Sequence, residues 1–429
     1  MESGRDYIVS DCSLFSDFKP CITDGKCTRC GSSQLVLAPC EVCQNFCLYC
    51  VSCIALGKMR ACCYVATVEN KKMPLRTVKC LWDGQLSTQQ QEGSHAISRA
   101  IDSRQNLLVS AVTGAGKTEM LFESVEKALS SGLRICLATP RIDVLLELVP
   151  RFQKAFPNED IMVLYGNQKE TYHFTQFVMA TTHQLLKFTH AFQVLIIDEV
   201  DAYPFEHNAM LQRRVPMALT DDGVVIYLTA TPTPHHEKLM RQNMLNYFEL
   251  PARYHQHALS VPKCRYIGNY VKHIEKRRMT GWMKLILNWV KEGKRFLVFC
   301  PKIDVMHQLE AWLNELSVTH FESVYAEDAL REEKIVQMRE GKVQFLLTTT
   351  ILERGVTFKN IDVIVLGADY RVFSKAALVQ IAGRVGRSIE HPTGQVLFWH
   401  NGMTKEMKQA VKWINEKNEQ AKRRGLIHA

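Results

Sequence analysis

The 429-residue chain predicts an α/β protein: two parallel-sheet domains in tandem behind a small, cysteine-rich N-terminal module. Three observations carry that expectation. From Trp82 onward, short apolar runs alternate with amphipathic stretches, the pattern of strands covered on both faces by helices. The alternation lapses at residues 251–262 into a polar, histidine-bearing stretch that reads as a linker, and then resumes. Twelve of the 15 cysteines precede residue 81, and only Cys136, Cys264 and Cys300 follow. The expected divisions are residues 1–80, 81–255 and 256–429.

Composition agrees with a large folded machine. A hydrophobic fraction of 46% supports real cores and excludes general disorder. The net charge of +9 and pI near 8.8 permit a polyanionic partner without requiring one. The basic runs at 272–278 (KHIEKRR) and 422–424 (KRR) read by default as solvated helix faces. No stretch approaches the roughly 20 apolar residues that span a bilayer. The polar start MESGRD lacks a signal-peptide pattern, so the sequence predicts a cytoplasmic chain that meets the membrane only through partners.

The N-terminal cysteines are Cys12, Cys21, Cys27, Cys30, Cys40, Cys43, Cys47, Cys50, Cys53, Cys62, Cys63 and Cys80. In a reducing compartment such density points to thiolate pairs holding tetrahedral zinc rather than to disulfides. Cys27-x-x-Cys30 is followed by Gly31, as a zinc knuckle wants, and Cys50-x-x-Cys53 follows at ribbon spacing. Cys40-x-x-Cys43 and Cys47-x-x-Cys50 compete as second knuckles. Four ligands close one structural site, so the remaining cysteines are either spares or a second site that recruits Cys62 or Cys63.

The first α/β series reads as strand 106–111, helix 117–130, strand 134–139, helix 142–155 and strands near 161–165, 177–181, 194–198 and 224–229. Residues 111–118 spell AVTGAGKT, a glycine-rich turn between strand and helix. There the amides of Gly114, Ala115 and Gly116 can converge on phosphate oxygens, Lys117 can reach the outer phosphates and Thr118 can ligate magnesium. Ala111 stands where the P-loop pattern has glycine. Residues 194–201 (VLIIDEVD) form a buried strand ending in Asp198, suited to the metal ion, and Glu199, suited to orienting the attacking water. Either motif alone arises by chance, but the pair in this order predicts ATP binding and hydrolysis.

The second series reads as helix 281–292, strand 295–300, helix 302–316, strand 321–325, helix 329–340, strands 343–348 and 361–366, helix 375–383, strand 394–399 and a final helix 403–423. It carries no P-loop. Its residues 380–387 (QIAGRVGR) place Arg384 and Arg387 at helical spacing on one face, fit to clamp developing phosphoryl charge as arginine fingers. Two arginines so spaced are commonly surface decoration. Gly383 and Gly386 argue instead for close backbone packing.

From Trp82 to His400 the set resembles a helicase superfamily 2 motor, which implies two RecA-like domains closing on one ATP. Residues 86–90 (LSTQQ) place Gln90 where those motors read adenine, with Ser87 for the usual threonine. ATPR at 138–141, ATT at 180–182 and TTTILERGVTF at 348–358 imply backbone contacts to nucleic acid through Arg141, Thr181, Thr182 and Thr349. TAT at 229–231, together with Gly355 and Gln380, implies coupling through Thr229, Thr231, Gly355 and Gln380.

Joined to the cysteine module, the motor resembles the ComFA family of late-competence DNA-uptake ATPases of transformable Gram-positive bacteria. That resemblance implies zinc on Cys27, Cys30, Cys50 and Cys53. It also implies an ATP- and magnesium-dependent translocase that draws single-stranded DNA through a membrane channel, with other competence proteins such as a ComFC-type protein as partners and the formation of a homo-oligomer left open. A replication-restart or RNA helicase would share every motor motif, and a nucleotide-dependent scaffold would need a missing acid or arginine, whereas Asp198, Glu199, Arg384 and Arg387 are all present.

Overall fold

The computed structural model describes residues 6–9, 18–67, 73–166 and 173–428, with backbone alone for 6–9 and Thr67; Cys12 lies outside the described residues. The chain divides into two compact units, Met1–Ser110 with Lys117–Glu249, and Ala111–Gly116 with Leu250–Ala429. The cysteine module therefore groups with the first parallel sheet, and the first six residues of the glycine turn group with the second unit.

In the first unit a seven-stranded sheet runs in the order Ile161–Leu164, Phe177–Thr181, Ile135–Thr139, Phe192–Ile197, Leu219–Thr229, Leu107–Ala111 and Asn246–Leu250. Its inner strands are apolar along their whole length because both faces are covered, and Ile135–Thr139, Phe177–Thr181 and Leu107–Ala111 are buried at every position. The parallel register pairs Thr181 with Thr139, Ile197 with Ala138 and Thr229 with Ser110, so the motif-bearing tips line up along one edge. Trp82 packs edge-on against Phe122, and Phe122 against Phe152, which anchors the tryptophan-led entry segment to this core.

The second unit holds a six-stranded parallel sheet in the order Lys263–Tyr266, Val396–His400, Asp362–Leu366, Phe296–Phe299, Phe345–Thr348 and Phe321–Val324. Trp282 meets Trp312 and Trp399 at ring separations of 6.0 and 5.8 Å, and Phe296 stacks on Phe345. Within the stretch expected to be the linker, Arg253 and His255 are buried, whereas Tyr254 and Val261 are exposed. Among the described residues, no helix is long and apolar enough to cross a membrane.

The cysteine module is built from short antiparallel pairs. Leu35–Cys40 pairs with Asn45–Cys50 in a hairpin, Ile22–Thr23 with Lys26–Cys27, and Tyr64–Thr67 with both Asp6–Val9 and Phe18–Pro20.

Candidate nucleotide site and cysteine centre

Strand Leu107–Ala111 delivers the chain into a turn with Gly114 at φ +81° and Gly116 at φ +76°. Only glycine adopts these angles at little cost, and within the turn the Ala115 amide donates to the Val112 carbonyl at 3.1 Å. Regular helix begins at Leu121, so Lys117 and Thr118 lie in the preceding turn rather than in the helix expected from 117. Lys117 Nζ stands 3.7 Å from Asp198 Oδ1, with Asp198 at the tip of Phe192–Ile197 and its amide donating to the Ala138 carbonyl at 2.9 Å. Thr118 is buried beside them in sequence. A lysine, a hydroxyl and a carboxylate at the mouth of a glycine turn are the donor set that a nucleotide triphosphate with magnesium requires.

Glu199 takes the left-handed conformation, φ +55°, and its amide donates to Asp198 Oδ1 at 2.8 Å. A non-glycine residue held there costs about 1 kcal/mol, and such strain is concentrated at functional sites. Asp201, two residues on, accepts from the Thr231 hydroxyl at 2.6 Å, while Thr229 Oγ1 accepts from the Thr231 amide at 3.0 Å.

Gln90 is buried at the third position of helix Thr88–Asp102, and its Oε1 accepts from the Ser87 amide and hydroxyl at 2.8 and 2.9 Å. This capping box fixes the glutamine at the helix start. Thr181 ends strand Phe177–Thr181 and Thr182 opens the turn of helix that follows, both buried; Arg141 sits 3.5 Å from Asp143, and Thr349 directly precedes the short turn of helix Thr350–Glu353 without a side-chain capping bond.

In the second unit, the helix carrying Gln380 ends at Ala382, and Gly386 at φ +70° breaks any continuation. Arg384 and Arg387 therefore do not share a helical face, contrary to the expected spacing. Arg384 is buried and donates to the Val356 carbonyl, next to Gly355, whereas the half-buried Arg387 turns back to the Gly383 carbonyl at 3.2 Å. The close packing expected of the glycines is present: a Cβ on Gly383 would lie 1.8 Å from the Thr113 hydroxyl, and one on Gly386 would lie 2.2 Å from the Pro392 carbonyl. Sequence reasoning missed Arg253. Its guanidinium, fully buried, donates to the carbonyls of Gly386 at 2.5 Å and Val385 at 2.7 Å, and burial, then Arg387, pushes its pKa down to about 9.

The sulfurs of Cys27, Cys30, Cys50 and Cys53 lie within 4.8 Å of one another. Three separations are 3.8, 3.5 and 3.7 Å. A Zn–S bond of about 2.3 Å sets a tetrahedral edge of about 3.8 Å, so these four could hold a zinc ion. The amides of Cys30 and Ser32 hydrogen-bond the sulfurs of Cys27 and Cys30, and Gly31 at φ +71° makes the turn possible. Arg29, also unforeseen, donates to the Cys53 sulfur at 3.3 Å and to the Cys53 and Gly57 carbonyls. The Cys53 thiol is pushed down to about 2, first by hydrogen bonding from Cys27, then from Cys30, with Arg29 adding to both.

Comparison with known proteins matches residues 278–388 to the helicase conserved C-terminal domain and residues 83–234 to the res subunit of type III restriction enzymes. The competence protein ComFA of Bacillus subtilis is 39% identical over 92% of this chain and 86% of its own length. The chain belongs to the ComFA family. The ComFA of Streptococcus pneumoniae is 40% identical over 87% of this chain and 86% of its own length. A solved structure of yeast Dbp5 bound to RNA and ADP BeF3 superposes with a TM-score of 0.55 at 14% identity, covering 77% of this chain and 91% of that one, which bears on the fold alone. As a ComFA-family chain it is a competence-related, helicase-type ATPase with two RecA-like domains.

Proposed function

We propose that the chain is an ATP-dependent single-stranded DNA translocase, stimulated by DNA, that drives transforming DNA across the cytoplasmic membrane. The observation that carries the reading is the 3.7 Å approach of Lys117 to Asp198 at the edge where the strand tips align. Triphosphate oxygens would be gathered by the amides of Gly114, Ala115 and Gly116 and by Lys117, with Gln90 against the adenine. Thr118 and Asp198 would hold magnesium, which neutralises phosphate charge when bound. Glu199 orients water for attack on the γ-phosphorus, and Arg384 and Arg387 carry the arginine-finger role, Arg387 being the more accessible.

Arg141, Thr349 and the main-chain amides at Thr181 and Thr182 serve as the strand contacts. Phosphate recognition of this kind reads no base sequence, as uptake of arbitrary DNA demands. Thr229, Thr231, Gly355 and Gln380 relay nucleotide state to those contacts. Zinc on Cys27, Cys30, Cys50 and Cys53 stiffens the N-terminal module. Location at the inner face of the membrane, a ComFC-type partner and a DNA channel are parts of the same proposal, drawn from the ComFA kinship.

The test is steady-state ATP turnover with single-stranded DNA, duplex DNA and RNA across a salt series. Stimulation should be greatest with single-stranded DNA and should fade as salt rises. Lys117→Ala should abolish binding or hydrolysis, and Glu199→Gln should bind ATP but lose turnover. Normal stimulated turnover in either variant, or preference for RNA, defeats the reading.

A further inference from the structure

Within the hairpin Leu35–Cys40 and Asn45–Cys50, Cys40, Cys47 and Cys50 alone are buried; the apolar residues between them, Leu37 and Phe46 among them, are exposed. Only Cys50 and Leu35, paired at one end, join a hydrophobic cluster, and a two-stranded hairpin so little covered is not stable in water by itself. Something at the cysteines must hold it. The first zinc set accounts for Cys50 only.

Strand alternation explains the remainder. Cys47 and Cys50 are three residues apart in an extended strand, so their side chains leave opposite faces and cannot form one knuckle. Cys40 and Cys47 are diagonal neighbours on the other face, since Ala38 pairs with Cys47 and Cys40 with Asn45. Beyond the strand end, the amides of Cys43 and Val42 hydrogen-bond the Cys40 sulfur, and Gln44 takes φ +54°. The first knuckle has the same construction, with amide donors to sulfur and a left-handed residue, Gly31, directly after its second cysteine. The fourth sulfur arrives from a segment laid along the hairpin edge: the Ala61 amide donates to the Leu48 carbonyl at 2.8 Å, and Tyr49 bridges Arg60. This places Cys62 Sγ 3.7 Å from Cys40 Sγ, and all four sulfurs of Cys40, Cys43, Cys47 and Cys62 lie within 4.8 Å. That separation matches the edge of about 3.8 Å expected for a tetrahedral ZnS4 centre. Cys63 Sγ lies 3.9 Å from Cys62 Sγ but is not one of the four sulfurs that are all mutually close.

We infer that Cys40, Cys43, Cys47 and Cys62 form a second tetrathiolate zinc site, so the module binds two zinc ions on opposite faces of one hairpin. The site is structural, since four protein ligands leave no open position for chemistry. Zinc content of the full chain, measured by elemental analysis after dialysis, should be two per chain. Cys43→Ser with Cys62→Ser should retain one, and Cys30→Ser with Cys53→Ser should retain the other. Cobalt(II) loading of the unmodified chain gives a variant-free check: thiolate charge-transfer absorbance should keep rising to a second equivalent. One zinc per chain with cobalt saturating at one equivalent overturns the site, as does a second zinc that survives the Cys43 and Cys62 changes. ATP turnover is not the readout, so the result stands apart from the translocase reading.

Discussion

The Thr231 hydroxyl donates to Asp201 Oδ2 at 2.6 Å, tying the TAT turn to the last residue of the DEVD box. Both are buried, so the bond has no water to replace it. A lost hydrogen bond to a buried charged group costs about 1.5–3 kcal/mol. Thr231→Val should lower the melting temperature accordingly, leave ATP affinity near normal and flatten the stimulation of turnover by DNA. Paired measurements of nucleotide affinity and stimulated rate decide it; full stimulation in a stable variant would remove Thr231 from the coupling path.

Arg253 and Arg387 should separate cleanly. Arg253→Met leaves the carbonyls of Gly386 and Val385 buried without their donor, a loss of about 3 kcal/mol in stability visible by denaturant unfolding. Arg387→Ala, at a half-buried position, should leave the unfolding midpoint nearly unchanged and cut turnover by about 10³-fold, as loss of an arginine finger does. A turnover loss that merely tracks unfolding in both variants would argue against the finger.

His236 gives the first unit a pH slope. Burial, then His235, pushes its pKa from 6.5 to about 4 against the pull of Asp201, while its Nδ1 shares a 2.8 Å hydrogen bond with the Thr233 hydroxyl. With the folded value below the unfolded one, the unfolded chain takes up the proton first. Stability is therefore whole above about pH 6.5 and falls as pH drops toward 4, by roughly 3 kcal/mol in the limit. Urea midpoints at about pH 7 and about pH 5 should differ less in His236→Gln than in the unchanged protein. Equal slopes would assign the acid loss to other groups.

Removal of metal should unfold the N-terminal module and spare the sheets. A strong chelator is expected to abolish protection of the Cys27 to Cys53 amides in hydrogen exchange while Leu107–Ala111 and Phe296–Phe299 stay protected. Basal ATP turnover should change far less than DNA affinity. Unaltered exchange in the module would mean that the thiols hold the turn without zinc.

What could be read from the sequence was chemistry concentrated in a few consecutive residues. The glycine turn before Lys117, the acids after Ile197 and the both-faces-buried strands announce themselves locally, and the two-sheet architecture followed. Arg253 did not, because it sits in a polar, histidine-bearing stretch whose burial is created by carbonyls some 130 residues away. Arg384 and Arg387 look helical until the φ +70° of Gly386 is known. The hairpin strands escaped notice for a different reason: Val36, Leu37, Phe46 and Leu48 are apolar yet exposed, so the usual alternation is missing. Without strands, the parity that separates Cys47 from Cys50 cannot be applied.

That parity makes the cysteine hairpin intolerant of length changes in a way its exposed surface would not suggest. One residue gained or lost between Cys47 and Cys50 flips Cys50 to the face that carries Cys47, removing it from Cys27, Cys30 and Cys53. Point changes at Leu37 or Phe46 leave the arrangement intact, so drift in this segment should run through substitutions while insertions and deletions are purged.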